Sequence, residues 1–199
     1  MRSVCVFGAS SSGVDAVYEA AAYELGALLA ERGIAVVFGG GRTGLMGAVA
    51  RGVHDAGGHI TGVIPEKLNV PGIPFEYCDK LIVTATMHER KAKMEQLSHG
   101  YIAMPGGLGT LEELLEVLTL NQLGYISAPV VILSIRGCYD ALMAQLDACV
   151  AAGFTHEAYK GLYRCAQSAR EAVELLVDFK PQELPNKIKE ALKQDGKNR

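Results

Sequence analysis

The sequence has no uncharged apolar run long enough to cross a bilayer, and its opening residues, MRSVCVFG, are apolar but far too short for a signal peptide. A soluble, cytoplasmic protein is expected, without a membrane partner. Long basic runs are missing, the formal net charge is -3, and aromatic contacts rest on 8 tyrosines and 5 phenylalanines. There is thus no electrostatic footprint for nucleic acid, and a small molecule is the better ligand. Cys5, Cys78, Cys138, Cys149 and Cys165 form an odd set with no C-x-x-C spacing and no nearby histidine pair. Neither a disulfide framework nor a zinc site is indicated, so buried free thiols are expected. His54, His59, His88, His99 and His156 are equally scattered, and no metal site is expected.

What is present is a chain of 199 residues with 49% hydrophobic and 21% charged residues, the composition of an ordinary globular domain. We read residues 1 to 180 as one domain and residues 181 to 199 as a charged C-terminal helix or tail. Short β-branched runs (SVCVFG, IAVVFGG, HITGVI, KLIVTA, YIAMPGG, PVVILSI and, more weakly, LYRCA) alternate with amphipathic stretches at 14–32, 44–57, 87–99, 111–123, 138–152 and 168–178. Nearly all the strand candidates are apolar on both faces, the pattern of parallel strands covered by helices on both sides. The expected fold class is therefore α/β, a doubly wound parallel sheet flanked by helices. Residues 65 to 76, PEKLNVPGIPFE, read as one long loop.

Three strands run directly into glycine, at VFGASSSG, VFGGGRTGLMG and MPGGLGT. In open parallel sheets ligands bind beyond the carboxyl ends of the strands, so the three loops should rim one crevice. Each strand, glycine turn and helix start can present free backbone N–H groups and the positive end of a helix dipole to an anion. Gly8, Ser10, Gly40, Gly41, Gly106, Gly107 and Gly109 become candidate substrate-binding positions, with Thr110 either capping its helix or bonding the anion. Neither G-K-[ST] nor G-x-G-x-x-G is completed here, which removes support for triphosphate hydrolysis and dinucleotide redox chemistry. A monophosphate fits the smaller provision.

Two charged residues break their helical patterns. On a helical wheel of 111–123, Leu111, Leu114, Leu115, Val117, Leu118 and Leu120 form an apolar arc, and Glu112, Glu116 and Thr119 share the polar wedge. Glu113 falls inside the apolar arc, one turn from the helix start. On 87–99, Met87, Met94 and Leu97 form a stripe that contains Arg90. Arg90 and Glu113 are either a buried ion pair or a chemical apparatus beside the glycine loops. Lys91, at the edge of the stripe, is either a ligand contact or a solvated lysine.

Together PGGLGTLEE, MHERK and GGGRTGLMG resemble the Lonely Guy family of cytokinin-activating phosphoribohydrolases, over roughly residues 1 to 178. The family hallmark P-G-G-x-G-T-x-x-E is matched by Pro105, Gly106, Gly107, Gly109, Thr110 and Glu113. The resemblance implies a Rossmann-like fold, a homodimer, and hydrolysis of the N-glycosidic bond of nucleoside 5′-monophosphates, releasing free base and ribose 5-phosphate without a cofactor. It also implies that Arg90 and Glu113 are catalytic. Met87, Lys91, Gly107, Leu108, Gly109, Thr110, Leu111 and Glu112 would contact nucleotide, and Thr119 would lie near the site. One departure is Gly72, where family members often carry a glutamate; Glu76 is the nearest substitute.

Departure of an adenine-type base leaves oxocarbenium character on the ribose, which a nearby carboxylate stabilises while it positions or deprotonates the attacking water. Glu113 suits that role, and the planar fork of Arg90 suits orienting it. No side chain stands out as the general acid. The rival from another class is a non-catalytic nucleotide or cofactor carrier on the same fold. A lysine decarboxylase would need a lysine set to form a Schiff base with pyridoxal phosphate, and no lysine here stands in such a setting.

Overall fold

The computed structural model describes residues 1 to 181. Its strands are β1 (Ser3–Phe7), β2 (Ala35–Phe38), β3 (Ile60–Pro65), β4 (Lys80–Thr84), β5 (Tyr101–Ala103), β6 (Val130–Leu133) and β7 (Arg164–Ala166). They form one 7-stranded sheet in the order β4-β3-β2-β1-β5-β6-β7, and every pairing is parallel. The doubly wound α/β class read from the sequence is the class observed, down to the short β7.

The apolar runs are buried because helices cover both faces. Leu25 and Leu29 of α1 (Ala16–Glu31), Val49 and Val53 of α2 (Gly44–Asp55) and Val173 and Leu176 of α6 (Ala169–Val177) pack on Val4, Val6, Val36 and Ile102. On the opposite face Met94 of α3 (Met87–Gln96) and Leu114, Val117 and Leu118 of α4 (Leu108–Leu123) pack on Cys5, Val37, Tyr101 and Ile132. Leu142 and Met143 of α5 (Asp140–Ala151) join that second core. Each fully buried aliphatic side chain contributes roughly 1.5–3 kcal/mol. The edge strand β4 is the exception: Leu81 and Val83 stay exposed, because an edge strand lacks a neighbour on one side.

The chain winds outward from β1 to β4 and then returns to lay β5 on the other side of β1. The helices that follow β1 and β5 therefore leave to opposite faces, and their loops part at the switch point. The loop after β2 is the next neighbour, so all three glycine loops rim this crevice as expected.

Some boundaries differ. The helix expected from 111 begins at Leu108 with Gly107 as its N-cap, so Gly109 and Thr110 lie in its first turn. Thr110 is thus not the cap; its side chain is buried and packs over Gly106 instead. The helix expected to reach 99 ends at Gln96, where the Ser98 hydroxyl donates to the Met94 carbonyl (2.7 Å) and turns the chain toward β5. Apart from Pro181, the expected charged tail of 181–199 lies outside the described residues.

Candidate active site

The three glycine loops are not equivalent. The loop after β1 is laced to β5, with Met104 N–H donating to the Phe7 carbonyl (2.9 Å) and Ala9 N–H to the Pro105 carbonyl (3.1 Å). This runs the pairing of β1 and β5 on into their loops and brings Gly8 up against Met104. The Ala9 carbonyl then accepts from Leu45 N–H (2.8 Å) and Met46 N–H (3.3 Å), and the Ser10 carbonyl accepts from the Thr43 hydroxyl (2.7 Å). The start of α2 is capped from within the protein. Gly40 and Arg42 are likewise engaged with the following loop, through Phe75 N–H to the Gly40 carbonyl (2.8 Å) and Arg42 N–H to the Ile73 carbonyl (3.0 Å), while Gly41 bridges Pro74. The start of α1 is also taken, by the Asp15 carboxylate, which accepts from Val17 N–H (3.0 Å) and pairs with Arg136 (2.9 Å).

Of the three helix starts that follow the glycine loops, that of α4 alone stays open. Its N-cap, Gly107, brings no side-chain acceptor, and the first capping bond comes at Leu111 N–H to the Gly107 carbonyl (3.0 Å). The N–H groups ahead of it have no intrahelical partner and form the positive end of the helix. The sequence suggested three helix starts fit for an anion; the structure leaves one, because a carbonyl and a carboxylate of the chain itself fill the other two. The glycines of this loop divide by function. A Cβ on Gly106 would overlap the Thr110 hydroxyl, so Gly106 is a packing glycine. A Cβ on Gly107 or Gly109 would meet nothing within 4 Å, so no packing contact inside the chain calls for glycine at either position.

One turn further along α4, Glu113 meets Arg90. Arg90 Nη1 donates to Glu113 Oε1 at 2.9 Å, and the two side chains are only 9% and 11% exposed. Arg90 Nε donates to the Val63 carbonyl at the end of β3 (3.1 Å), and Met87 Sδ lies 3.7 Å from Nη1. The guanidinium is held from the sheet, from its own helix and from α4. Burial pushes the Glu113 carboxyl above its ordinary value, and Arg90 opposes that rise through its charge and its hydrogen bond. Both residues singled out by the helical wheel are therefore brought into direct contact beside the open helix start.

Lys91 does not face the crevice as a free cation. Its ammonium is bound by Glu112 and by Glu116 (2.9 Å). Burial would lower the pKa of Lys91, but these two carboxylates outweigh it and hold it above its ordinary value. Glu95 on the same helix is pushed up, first by burial and then by Glu116. Leu108 stands out in solvent at 87% exposure and Leu111 is half-buried. Thr119 donates back to the Leu115 carbonyl (2.7 Å) and lies six residues beyond Glu113, about 9 Å along the helix. It lines a groove with Leu115, Leu118 and Gln122 of α4, Cys149 and Val150 of α5, and Phe154, rather than the Arg90–Glu113 pair. Gly72 adopts a left-handed φ of 87°, which favours glycine there, and Glu76 lies in a separate cleft with Arg42, Arg51 and Tyr77.

Sequence reading missed three participants. Glu116 was visible as the i+4 neighbour of Glu112 on the polar wedge. The Val63 carbonyl carried no signal, since any residue supplies one. Gly39, which lies against the Arg90 guanidinium, was hidden inside a run of three glycines. No cluster fit to hold a metal ion occurs among the described residues.

A doubly wound α/β sheet, an uncapped helix start at its switch point and a buried arginine–carboxylate pair one turn away make an architecture suited to a small anionic ligand. Comparison with known proteins makes it specific. Residues 46–176 match the family model described as "Possible lysine decarboxylase". The chain is 42% identical over 180 residues to a cytokinin riboside 5′-monophosphate phosphoribohydrolase of Arabidopsis thaliana, covering 90% of this chain and 84% of that protein. It is 44% identical over 181 residues to one from Oryza sativa subsp. japonica, covering 91% and 75%. Among solved structures, the Moco carrier protein of Chlamydomonas reinhardtii superposes with a TM-score of 0.68 at 25% identity, covering 89% of this chain and 99% of that one. The chain belongs to the Lonely Guy family, in which these phosphoribohydrolases stand.

Proposed function

We propose that this protein hydrolyses the N-glycosidic bond of adenosine 5′-monophosphates, N6-modified ones included, releasing the free base and ribose 5-phosphate. The observation that carries the reading is the placement on one helix of an uncapped start, suited to a phosphate, and of a buried carboxylate one turn later. A monophosphate seated at Leu108, Gly109 and Thr110 directs its ribose along α4 toward Glu113. As the base departs, Glu113 stabilises the cation developing at the sugar carbon and orients the attacking water. Arg90 favours the ionised state of Glu113 and fixes its direction. The names of the matched relatives support the same reaction.

Lysine decarboxylation is not favoured. A Schiff-base lysine needs a neutral amine, whereas Lys91, the lysine nearest the pair, is held charged between Glu112 and Glu116. A carrier function accounts for the open helix start but gives no role to the Arg90–Glu113 pair.

In this reading residues 1 to 180 act as one catalytic domain, working in the cytoplasm, where five free cysteines are at ease. The active form is a homodimer, supported by the apolar groove between α4 and α5 and by Phe154 beside it, 81% exposed. The test is to incubate the protein with isopentenyladenosine monophosphate, adenosine monophosphate and the two nucleosides, and to separate free base by chromatography. Base release from a monophosphate is expected; no release from either monophosphate would refute the reading.

A further inference from the structure

Gly39 directly follows β2 and is buried. Its neighbour Gly40 has a φ of 77°, but Gly39 is not among the positive-φ glycines, so its backbone does not require glycine. The requirement is spatial. A Cβ at this position would overlap Arg90 Nη2 and would stand 3.2 Å from Arg90 Cζ and 3.1 Å from Met46 Sδ. Nor can the guanidinium simply retreat. Nε is bonded to the Val63 carbonyl and Nη1 to Glu113, so movement away from position 39 stretches one bond or the other.

We propose that Gly39 is a positioning residue for the hydrolysis: its missing side chain is the seat in which the Arg90 fork rests so that it can face Glu113. The inference rests on the reading of Arg90 and Glu113 as the catalytic pair, but the geometry it concerns stands apart from that reading. Alanine at position 39 would drive the guanidinium about 1 Å from its place, and a misplacement of that size beside reacting atoms commonly costs about a hundredfold.

Three measurements test it: turnover of adenosine monophosphate, the titration of Glu113 followed by carboxyl-carbon NMR, and thermal melting. Gly39→Ala should lower kcat by roughly ten- to a hundredfold with KM changed less than about threefold. It should also raise the pKa of Glu113, because the charge that opposes the effect of burial has moved away. Glu112, Lys91 and the buried Cys5 thiol are the other titratable groups acting on or with Glu113, and the substitution displaces none of them directly. In the Arg90→Lys background the overlapping Nη2 is gone, so adding Gly39→Ala should change kcat, titration and melting little.

If Gly39→Ala leaves both kcat and the Glu113 titration at wild-type values, the proposal is overturned. The same holds if its effects are equally large in the Arg90→Lys background. Should Gly39→Ala fail to fold, the double variant must fold as well as Arg90→Lys alone, or the clash is not with Arg90 and the proposal falls. A shifted Glu113 titration in a protein that releases no base would support the positioning role while sinking the hydrolase reading.

Discussion

Changing Glu113→Gln removes a charge and little else. The amide keeps the length of the side chain, and its carbonyl oxygen can accept from Arg90 Nη1 across the same 2.9 Å. A hydrogen bond involving a charged group contributes about 1.5–3 kcal/mol and a neutral one about 0.5–1.5 kcal/mol. Since Arg90 keeps its charge, the fold should lose no more than about 1–2 kcal/mol, roughly 2–8 °C in Tm for a chain of this size. Turnover should fall much further, by about a hundred to a thousandfold, because the lost charge is the one that faces the developing cation. Nucleotide affinity should change little, since the proposed seat of the phosphate is the start of α4 and not Glu113. The assay is the initial rate of adenine release from adenosine monophosphate, with calorimetric Kd and Tm measured on the same preparation. Glu24→Gln, exposed on α1 across the sheet, is the control and should be silent. If Glu113→Gln keeps wild-type turnover, or loses it only in step with the loss of folded protein, then Glu113 is a structural partner of Arg90 and the mechanism is wrong.

Removing the phosphate from the substrate should forfeit at least two charge-assisted hydrogen bonds at the α4 start, about 3–6 kcal/mol, so kcat/KM for adenosine should be roughly a hundred to ten thousandfold below that for its monophosphate. Equal efficiency on the two would remove the phosphate site. The acid limb of the kcat profile should lie above the ordinary carboxylate value of 4.5, because burial raises Glu113 and its ionised form is the active one. For stability the sign is opposite: a carboxyl raised in the folded state favours folding as pH falls through the raised value and weakens it above that. Activity and the Glu113 contribution to stability should therefore change in opposite directions across that window; a limb at or below 4.5 would contradict this. Leu115→Glu, in the groove between α4 and α5, should halve the mass seen by light scattering, and an unchanged dimer, or a wild type that is monomeric and fully active, would place the interface elsewhere or abolish it.

The sheet was legible because burial on both faces leaves an unambiguous mark: runs such as PVVILSI can be little else than covered strands. Arg90 and Glu113 were legible for the converse reason, as charges standing in apolar stripes. What escaped was set by backbone atoms. Whether a helix start is open depends on where a carbonyl such as that of Ala9 comes to rest, and alanine announces nothing of this. α4 starts three residues ahead of the point its sequence suggests, because Gly109 and Thr110 look like turn residues, yet the first turn of a helix tolerates them when its N–H groups are left free. Lys91 was undecided from its position on the wheel because the wheel of one helix does not show the acidic edge of the next.

The Arg90 fork joins parts of the chain that lie on both sides of the switch point. Val63 belongs to the half of the sheet that runs out from β1 to β4, whereas Glu113 follows β5 in the half that grows the other way. Neither half contains the pair. A chain cleaved between α3 and β5 would yield two fragments, one carrying the arginine with its carbonyl anchor and the other carrying the carboxylate with the glycine loop that opens α4. Chemistry would then report on reassembly itself: it would be second order in fragment concentration, and it would appear only once β5 had found its place beside β1.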